Sequence, residues 1–463
     1  MGPLASTTVD LARAQFATTS IYHFLFVPLT LGLGPIVAVF QTLWHRTQDE
    51  RWLRLTKFFG TLFLINVAIG VATGLVQEFE FGMNWSVYSR FVGNVFGAPL
   101  AVESLAAFFL ESVFIGLWIF GWNRLSPRVH LATIWIVVLG SWLSAYFILV
   151  ANSWMQHPVG YKIVNGEAQL TSVWALVSNH FALRAYLHTI LAGLIFGSIV
   201  VLGVCCWHFL RRTDVDLFRK AAKVALIVAV PATFFQLLVG NRFGEAVTSA
   251  QSMKIAASEA QWDTCQPCSF SLFQIGGFTK QDPTPSFSIE VPRLLSYMAT
   301  GSFDGQVQGL NQLQRQEQRK YGRGNYMPNV RVIYWSMRVM AFSGVLMFLV
   351  AALGAWLYWK KKLEQATWFH RTALATIALP YIAATAGWVL TEMGRQPWIV
   401  QGLLKTSQAN SPSVSTTWIG MSLGVFIALY VILGVVDFVL MRRYARPHRP
   451  APQEELPVPA VTY

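Results

Sequence analysis

Side chains that can bind metals or carry protons are rare in the apolar stretches of this sequence, so the few that occur there are candidates for chemistry. His23 lies in "IYHFLFVPL" and His188 in "RAYLHTILAG". A histidine in an apolar setting needs a partner, and a metal ion is the strongest one available. The sequence lacks HExxH, paired histidines and cysteine clusters, which disfavours zinc and iron–sulfur sites. Haem iron fits better, because it needs only one or two axial ligands.

A second candidate ligand lies in "MRVMAFSGVLMFLVAALGAWLYWKKK", which carries Arg338 and Met340 at one end. A methionine thioether is a suitable axial partner for a histidine in a low-spin haem. An arginine two residues earlier can neutralise a haem propionate. The alternative is that Met340 only fills space between helices, as methionine commonly does.

Two carboxylates follow each other in "PLAVESLAAFFLESVF". Glu103 and Glu111 are eight residues apart, which places them on roughly one face of a helix, about 12 Å apart along its axis. A proton relay needs carboxylates spaced in this way with hydroxyl groups or water between them. The sequence offers three nearby hydroxyls, those of Ser104, Ser112 and Ser144.

The segment "AGWVLTEMGRQPWIVQG" brings three functional residue types onto one predicted helix face. Trp388, Glu392 and Arg395 follow the spacing i, i+4, i+7, just before a predicted Gly-Arg-Gln-Pro turn. A carboxylate at this place can ligate ferric iron or take up protons. Arg395 can contact a propionate, and Trp388 can pack between macrocycles.

The elements that must position these residues are membrane helices. Of the 463 residues, 54% are hydrophobic and only 12% are charged, against roughly a quarter charged in a soluble domain. Nine apolar runs approach or exceed the roughly 20 residues that a spanning helix needs. They cover residues 16–43, 57–78, 98–121, 129–152, 181–210, 221–240, 333–359, 369–392 and 416–440. The predicted fold class is an all-α, polytopic membrane helical bundle.

The net charge of +13 reflects basic residues at the span ends, so nucleic acid is not an expected partner. These residues lie in every second connection, which predicts an N-terminus outside and a C-terminus in the cytoplasm. The first span starts late, without a basic leader or a cleavage site, and is expected to stay in place. Five histidines fall on the predicted cytoplasmic edge and are expected to be solvated: His45, His130, His208, His370 and His448.

The spans divide the chain into four parts: residues 1–240 with helices 1–6, an extracytoplasmic loop at 241–332, residues 333–441 with helices 7–9, and a Pro-rich cytoplasmic tail at 442–463. The long loop is rich enough in Phe, Trp and Met to be a binding loop. Cys265 and Cys268 in it are compatible with a disulfide or with half of a zinc site.

Several motifs together resemble subunit I of the cytochrome bd-type quinol oxidases. They are "ARAQFATTSIYHFLFVPLTLGLG", "GVATGLVQEFEFGMNWS", "FGAPLAVESLAAFFLES", "ILVANSWMQHP" and "EMGRQPW". The resemblance covers most of the chain. It implies three haems near the outer face: a low-spin haem b, a high-spin haem b and haem d.

The resemblance also implies roles for the candidate ligands. His188 and Met340 resemble the axial ligands of the low-spin haem b, with Arg338 beside it. His23 resembles the axial ligand of one high-spin haem and Glu392 that of the other, and which of the two haems each one binds stays open.

Glu103 and Glu111 resemble family residues near the site of oxygen reduction. Glu103 resembles the carboxylate next to the oxygen-reducing haem and is a possible iron ligand. Glu111 resembles a step on the proton path from the cytoplasm.

In the long loop, Gln251, Lys254 and Glu259 resemble the quinol-binding pattern of the family. Where the family often has proline, this chain has Ser252 in "QSMKIAASE", and the loop is of the shorter kind. On a helix Glu259 lies about 140° around from Lys254, an arrangement that suits gripping a ring. The alternative is a solvated Lys254–Glu259 charge pair on an exposed helix, worth under about 1 kcal/mol.

The implied function is that of a respiratory terminal oxidase subunit in the bacterial cytoplasmic membrane. It oxidises a membrane quinol, ubiquinol or menaquinol, and reduces oxygen to water with protons taken from the cytoplasm. Voltage would then arise without a pump. The implied partners are a multi-span subunit II, small single-span subunits, quinol, oxygen and the lipid bilayer.

Two other classes remain as alternatives. A secondary transporter would use broken helices and buried carboxylates at the membrane midplane. A haem b membrane cytochrome would bind haem without reducing oxygen. A haem-copper oxidase needs about six intramembrane histidines, and only two histidines lie clearly within spans.

Overall fold

The computed structural model describes residues 3–446 of the chain. Most of the predicted Pro-rich tail, including His448, lies outside the described residues. The helices in chain order are α1 (Pro3–His23), α2 (Val27–Thr47), α3 (Glu50–Met83), α4 (Ser86–Val102), α5 (Phe109–Phe120), α6 (Pro127–Gln156), α7 (Val173–Val177), α8 (His180–Arg211), α9 (Val215–Ala250), α10 (Ser252–Ser258), α11 (Leu294–Thr300), α12 (Leu310–Tyr321), α13 (Val330–Trp359), α14 (Thr367–Thr376), α15 (Ala378–Gly394) and α16 (Thr416–Tyr444).

Within the described residues, nine helical spans are long and apolar enough to cross a membrane. They match the nine apolar runs of the sequence one for one, so the predicted fold class is confirmed. Several helices extend beyond the apolar run that predicted them. α9, for example, continues ten residues past position 240, to Ala250, and so reaches into the segment predicted as the outer loop.

Two of the spans contain local breaks next to candidate site residues. The first span pauses between His23 and Val27, where Pro28 stands in the first turn of α2 and has no N–H to donate to the preceding turn. The span formed by α4 and α5 contains a π-helical segment, Glu103–Phe108. π-Helical turns often mark functional sites, and this one begins at a candidate carboxylate.

The helices form two neighbouring groups. In the first, α2 packs on α3 and α6, and α4 and α5 pack on α6. In the second, α8 contacts α9, α9 contacts α13, α13 contacts α15, and α15 returns to α8. The second group therefore closes into a ring of four helices, and the contact between α2 and α8 joins the two groups.

The connection between α9 and α13 is folded. Its strands β3 (Phe270–Gly276) and β4 (Pro285–Val291) form an antiparallel hairpin, and α10, α11 and α12 lie on either side of it along the chain. Cys265 and Cys268 are joined by a disulfide. Smaller hairpins are formed by β1 (Tyr161–Val164) with β2 (Glu167–Leu170) and by β5 (Trp398–Val400) with β6 (Leu404–Lys405).

The expectation of solvated histidines at the cytoplasmic edge is wrong for three of them. His130, His208 and His370 are at most 2% exposed. Each has a ring nitrogen within hydrogen-bond distance of a backbone carbonyl: Trp118 for His130, Ala445 for His208 and Leu363 for His370. These histidines connect chain segments by hydrogen bonds in the interior, because an imidazole can bond to the backbone carbonyls that helix ends leave without a partner.

Candidate haem and quinol sites

A large cavity of about 540 Å³ is lined mainly by α1 and by helices of the first group. Its wall contains His23 at the end of α1, Glu103 and Glu111 from the span of α4 and α5, and Trp388 and Glu392 from α15. Five residues that the sequence singled out for different reasons therefore face one space. The cavity is within the usual range of cofactor pockets, roughly 300–1,000 Å³.

The wall of this cavity suits a flat macrocycle with an axial histidine. Nδ1 of His23 is 3.0 Å from the hydroxyl of Thr73, which fixes the ring and leaves Nε2 free to bind a metal ion. Gly74 lies against the imidazole, and a Cβ there would come within 3.0 Å of it. Gly93 and Gly97 also line the cavity, with open space in front of their Cα atoms. The residues present thus fit a haem.

Glu392 and Arg395 form an ion pair at the end of α15. Arg395 is only 5% exposed, and it also donates to the carbonyl of Ile399, 2.9 Å away. The amide of Asn152 donates to Glu392 over 3.3 Å. Trp388, one helical turn before Glu392, stacks on Phe24 with ring centroids 5.1 Å apart.

The two stepped carboxylates each have a serine partner from α6. The hydroxyl of Ser144 donates to Glu103 over 2.6 Å, and that of Ser141 donates to Glu111 over 2.7 Å. Ser104 adds a longer bond of 3.2 Å to Glu103. Ser112, which the sequence suggested, instead donates to the carbonyl of Phe108. The sequence analysis missed Ser141 as the hydrogen-bond partner of Glu111.

His188 and Met340 belong to the ring of four helices rather than to the large cavity. His188 lies within 3.2 Å of the amide nitrogen of Gln236 on α9. The sulfur of Met340 faces Gly387 on α15 and would be 2.9 Å from a Cβ at that position. Both side chains thus belong to the ring of four helices, where His188 contacts the polar Gln236 and Met340 contacts the small Gly387. Their pairing across a haem stays a prediction.

Arg338 has partners in the outer loop. It is 1% exposed and forms an ion pair with Glu259 over 2.6 Å. It also donates to the carbonyl of Ser271, 2.5 Å away, and to that of Ser258. Its guanidinium lies over the Tyr334 ring at 3.8 Å. Arg338, which was predicted to lie beside the haem, therefore also binds Glu259, the candidate base for quinol oxidation.

The alternative of an exposed Lys254–Glu259 charge pair is wrong. Both residues are buried, at 4% and 7% exposure, and their partners differ. Nζ of Lys254 donates to Gln156 over 2.8 Å, whereas Glu259 holds Arg338. Burial lowers the pKa of Lys254 to about 7. Burial also raises the pKa of Glu259, against the opposing effect of Arg338.

A chain of hydrogen bonds connects the loop lysine to the carboxylate of the large cavity. Lys254 bonds to Gln156, the Gln156 amide donates to Asn152 over 2.8 Å, and Asn152 donates to Glu392. Gly394 makes room for the lysine, since a Cβ there would lie 2.7 Å from its Cγ. The sequence analysis missed Asn152 and Gln156. Their i, i+4 spacing in "ANSWMQHP" was the available signal.

The described residues thus form a protein with nine candidate membrane spans, a cofactor-sized cavity with a histidine and carboxylates, and a structured long loop with a buried lysine, an arrangement typical of membrane-embedded redox proteins. Residues 11–449 match the family model described as "Cytochrome bd terminal oxidase subunit I". The chain belongs to this family.

Named relatives agree with this assignment. The chain is 44% identical to cytochrome bd ubiquinol oxidase subunit 1 of Bacillus subtilis (strain 168) over 434 residues, covering 94% of this chain and 92% of the relative. It is 35% identical to cytochrome bd-II ubiquinol oxidase subunit 1 of Escherichia coli (strain K12), covering 97% and 98%. Among solved structures, the bd oxidase from Geobacillus thermodenitrificans matches with a TM-score of 0.86 and 27% identity, covering 95% of this chain and 99% of that one.

Family membership implies an oxidoreductase that uses haem, oxidises quinol and reduces oxygen, and that works together with a subunit II. The chain is a multi-pass protein of a bacterial membrane. The resemblance read from the sequence motifs is thereby confirmed.

Proposed function

We propose that this chain is the subunit of a quinol:oxygen oxidoreductase that binds a low-spin haem b, a high-spin haem b and haem d. Quinol is oxidised at the outer loop, and oxygen is reduced to water in the large cavity. The observation that carries the proposal is the joint placement of His23, Glu103, Glu111 and Glu392 in one cavity, with buried Lys254 joined to Glu392 by hydrogen bonds.

The chain's own residues hold the haems in this proposal. His188 and Met340 would hold the low-spin haem b, with Arg338 close to it. His23 and Glu392 would each hold one high-spin haem, Trp388 would pack against the macrocycles, and Arg395 would bind a propionate. When bound, the haems supply one-electron transfer and the site of oxygen reduction.

At the loop, the protein binds quinol and takes its protons. Gln251 and Lys254 hold the quinol oxygens, and Glu259 accepts a hydroxyl proton. A carboxylate whose pKa is raised by burial is better matched to this task than an ordinary one, because acid–base efficiency is highest near the working pH. Arg338 holds the carboxylate in place and keeps its charge compensated.

At the large cavity, Glu111 and Ser141 pass protons toward Glu103 and Ser144. Protons taken up from the cytoplasm and quinol protons released outside together generate voltage without a pump. This direction follows from the predicted topology, with the N-terminus outside.

The test is steady-state oxygen uptake by the assembled oxidase with Lys254→Met or Glu259→Gln, substitutions that keep the side-chain size. Loss of activity with quinol is expected, by about 100-fold for the general base. Oxidation of an artificial donor that reaches the low-spin haem directly should be preserved. The matched controls are Lys280→Met and Glu290→Gln, which change exposed residues of the same loop.

Unchanged quinol kinetics in both variants would contradict the proposed site. Equal losses with quinol and with the artificial donor would place the defect at the haems instead. A purified complex without haem absorption would favour the transporter alternative, and one with haem but without oxygen uptake would favour the membrane cytochrome.

A further inference from the structure

A second, smaller cavity lies between the outer loop and the turn after α15. Its volume is about 140 Å³, and its wall is polar, with Gln251 and Lys254 on one side, Arg395 and Gln396 on another, and Glu317 of α12 on a third. Glu317 has no role in the function argued so far. Space of about 10–15 Å³ is enough for one water molecule, so this cavity has room for several.

Three buried polar atoms in this wall have no hydrogen-bond partner among the described residues: Oε1 of Gln251, Oε2 of Glu317 and Nε of Arg395. Buried polar groups in proteins nearly always have a partner, and ordered water supplies it where protein does not. Because the three residues line one cavity, a polar occupant of that cavity is the nearest source of partners for these atoms. Water can be this occupant, since each molecule both donates and accepts.

We infer that this cavity is a proton-release chamber and that Glu317 is the carboxylate that receives quinol protons there and passes them to the outer face. The inference rests on the proposed quinol site, which supplies the protons. Lys254 and Gln251 belong to both the proposed quinol site and the chamber, so the chamber begins where quinol is oxidised. Glu317 itself is on a helix whose neighbouring positions, Gln316 and Gln318, are exposed, so its route to solvent is short.

The chemistry balances without a further reactant. Oxidation of one quinol to quinone breaks two O–H bonds and releases two electrons and two protons. The electrons leave through the haems toward oxygen, which is the activity implied by the family. One of the two protons goes to Glu259, as proposed above, and is released before the next quinol binds. The other passes through chamber water to a Glu317 oxygen, forms a carboxyl O–H bond, and is then lost to the aqueous phase.

The surroundings of Glu317 suit a carboxyl group that takes up and releases a proton in each turnover. Burial raises the pKa of its carboxyl group, with Lys320 and a hydrogen bond from Trp398 opposing that effect. Across the chamber lie the cationic groups Lys254 and Arg395. Above its pKa the carboxylate is free to accept a proton, and below it the group is already protonated. The acid limb of the quinol rate should therefore lie at higher pH than for an ordinary glutamate.

The experiment compares Glu317→Gln and Glu317→Asp with the exposed loop variant Glu290→Gln in the assembled oxidase. In Glu317→Gln, kcat with quinol should fall by about 10- to 100-fold, the acid limb should disappear, and KM should stay the same. The artificial donor should be oxidised at the normal rate. Glu317→Asp, which keeps the acid, should restore most of kcat and show an acid limb at a shifted pH.

A readout independent of turnover is the infrared carboxyl band. Quinol added without oxygen should produce a transient protonated-carboxyl signal, with a component that Glu290→Gln keeps and Glu317→Gln loses. Normal kcat, pH profile and carboxyl signal in Glu317→Gln would overturn the inference. A changed low-spin haem spectrum or midpoint potential with an unaltered acid limb would also overturn it, because the chamber would then accommodate a haem propionate. If Glu317→Gln does not assemble, an unshifted acid limb in Glu317→Asp overturns it equally.

Failure of the chamber and failure of the proposed function give different results. If Lys254→Met abolishes quinol oxidation and Glu317→Gln leaves kcat and the acid limb unchanged, the quinol site stands and the chamber is refuted. If the unmodified complex oxidises no quinol, the proposed function itself fails.

Discussion

Glu259 and Arg338 form the most deeply buried ion pair among the described residues. A buried pair is weak support for stability, but removing one partner leaves an uncompensated charge and costs about 3–5 kcal/mol. Deleting the Glu259 side chain would therefore disturb the fold as well as the chemistry. For this reason Glu259→Gln is the more informative variant: it keeps a hydrogen-bonding group of the same size toward Arg338, although it removes the negative charge together with the ability to take a proton.

The ligand pair proposed for the low-spin haem makes a direct spectroscopic prediction. Replacing His188 by Ala, or Met340 by Leu, should remove the low-spin haem signal and leave at least part of the high-spin signal, since the two classes use different ligands. Reduced-minus-oxidised spectra of the purified complex measure both. Met347→Leu is the matched control, because Met347 is buried two turns further along α13. A normal low-spin spectrum in either ligand variant would show that another side chain binds the iron.

The contact between the two helix groups depends on glycine. α2 and α8 meet at Gly32, Gly193 and Gly197, where the backbones approach so closely that a Cβ on Gly32 would lie 1.7 Å from the carbonyl oxygen of Gly193. Small residues allow this kind of approach in membrane helices. The contact holds the helix that begins just after His23 against the helix that carries His188, so it sets the relation between the two proposed haem regions.

Gly32→Ala and Gly197→Ala should accordingly force α2 and α8 apart. Overpacking of this kind costs about 1–3 kcal/mol or more, so we expect a lower Tm of the purified complex and reduced haem content. Gly420→Ala is the control: Gly420 is exposed on α16 and has nothing within 4 Å of its Cβ position. A Tm for Gly32→Ala equal to that of the control would mean that the helices can separate without loss.

The spans and the ligand types could be predicted from the sequence because both are local properties. Apolar length alone identified all nine spans, and the cost of polar groups in lipid singled out His23 and His188. The hydrogen-bond and ion-pair partners of these side chains could not be predicted, because they come from distant parts of the chain. Arg338 and Glu259 are 79 positions apart, and Lys254 and Gln156 are 98 apart.

Local irregularities also escaped prediction. Helical spacing placed Glu103 and Glu111 on one face, but a π segment lies between them and shifts the register by its i→i+5 bonding. The histidines at the span ends looked solvated because their neighbours in sequence are charged. Each of the three buried ones instead contacts a backbone carbonyl, and no residue pattern shows such a contact. Glu317 stood in a very polar run, where nothing distinguished it from its exposed neighbours.

The molecule keeps its two proposed proton routes apart. Quinol protons leave through the loop and the small cavity, whereas protons for water reach the large cavity by way of Glu111. Arg395 belongs to the wall of both cavities, and its ion pair with Glu392 lies between them. In the proposed mechanism, the charge of Arg395 opposes proton passage between the two routes, including along the hydrogen bonds from Lys254 to Glu392. The proposed generation of voltage depends on this separation.

The separation predicts different kinetic patterns for the two routes. Glu111→Gln should slow oxygen uptake with quinol and with the artificial donor alike, by roughly 100-fold, because both electron sources need the same protons at oxygen. Haem content should be unchanged, since a relay residue ligates nothing. Ser141→Ala, which removes the hydroxyl bonded to Glu111, should have a smaller effect of the same kind. Ser112→Ala should have none, because its hydroxyl bonds to the carbonyl of Phe108.

The measurement combines oxygen uptake with pH recording in vesicles that contain the oxidase in one orientation. The Glu111→Gln enzyme should lose proton uptake from the cytoplasmic side in proportion to turnover. Glu317→Gln, by contrast, should spare turnover with the artificial donor, because that donor releases no protons at the loop. A Glu111→Gln enzyme that is slow only with quinol would mean that this carboxylate belongs to the outer route, and full oxygen uptake would mean that protons bypass it.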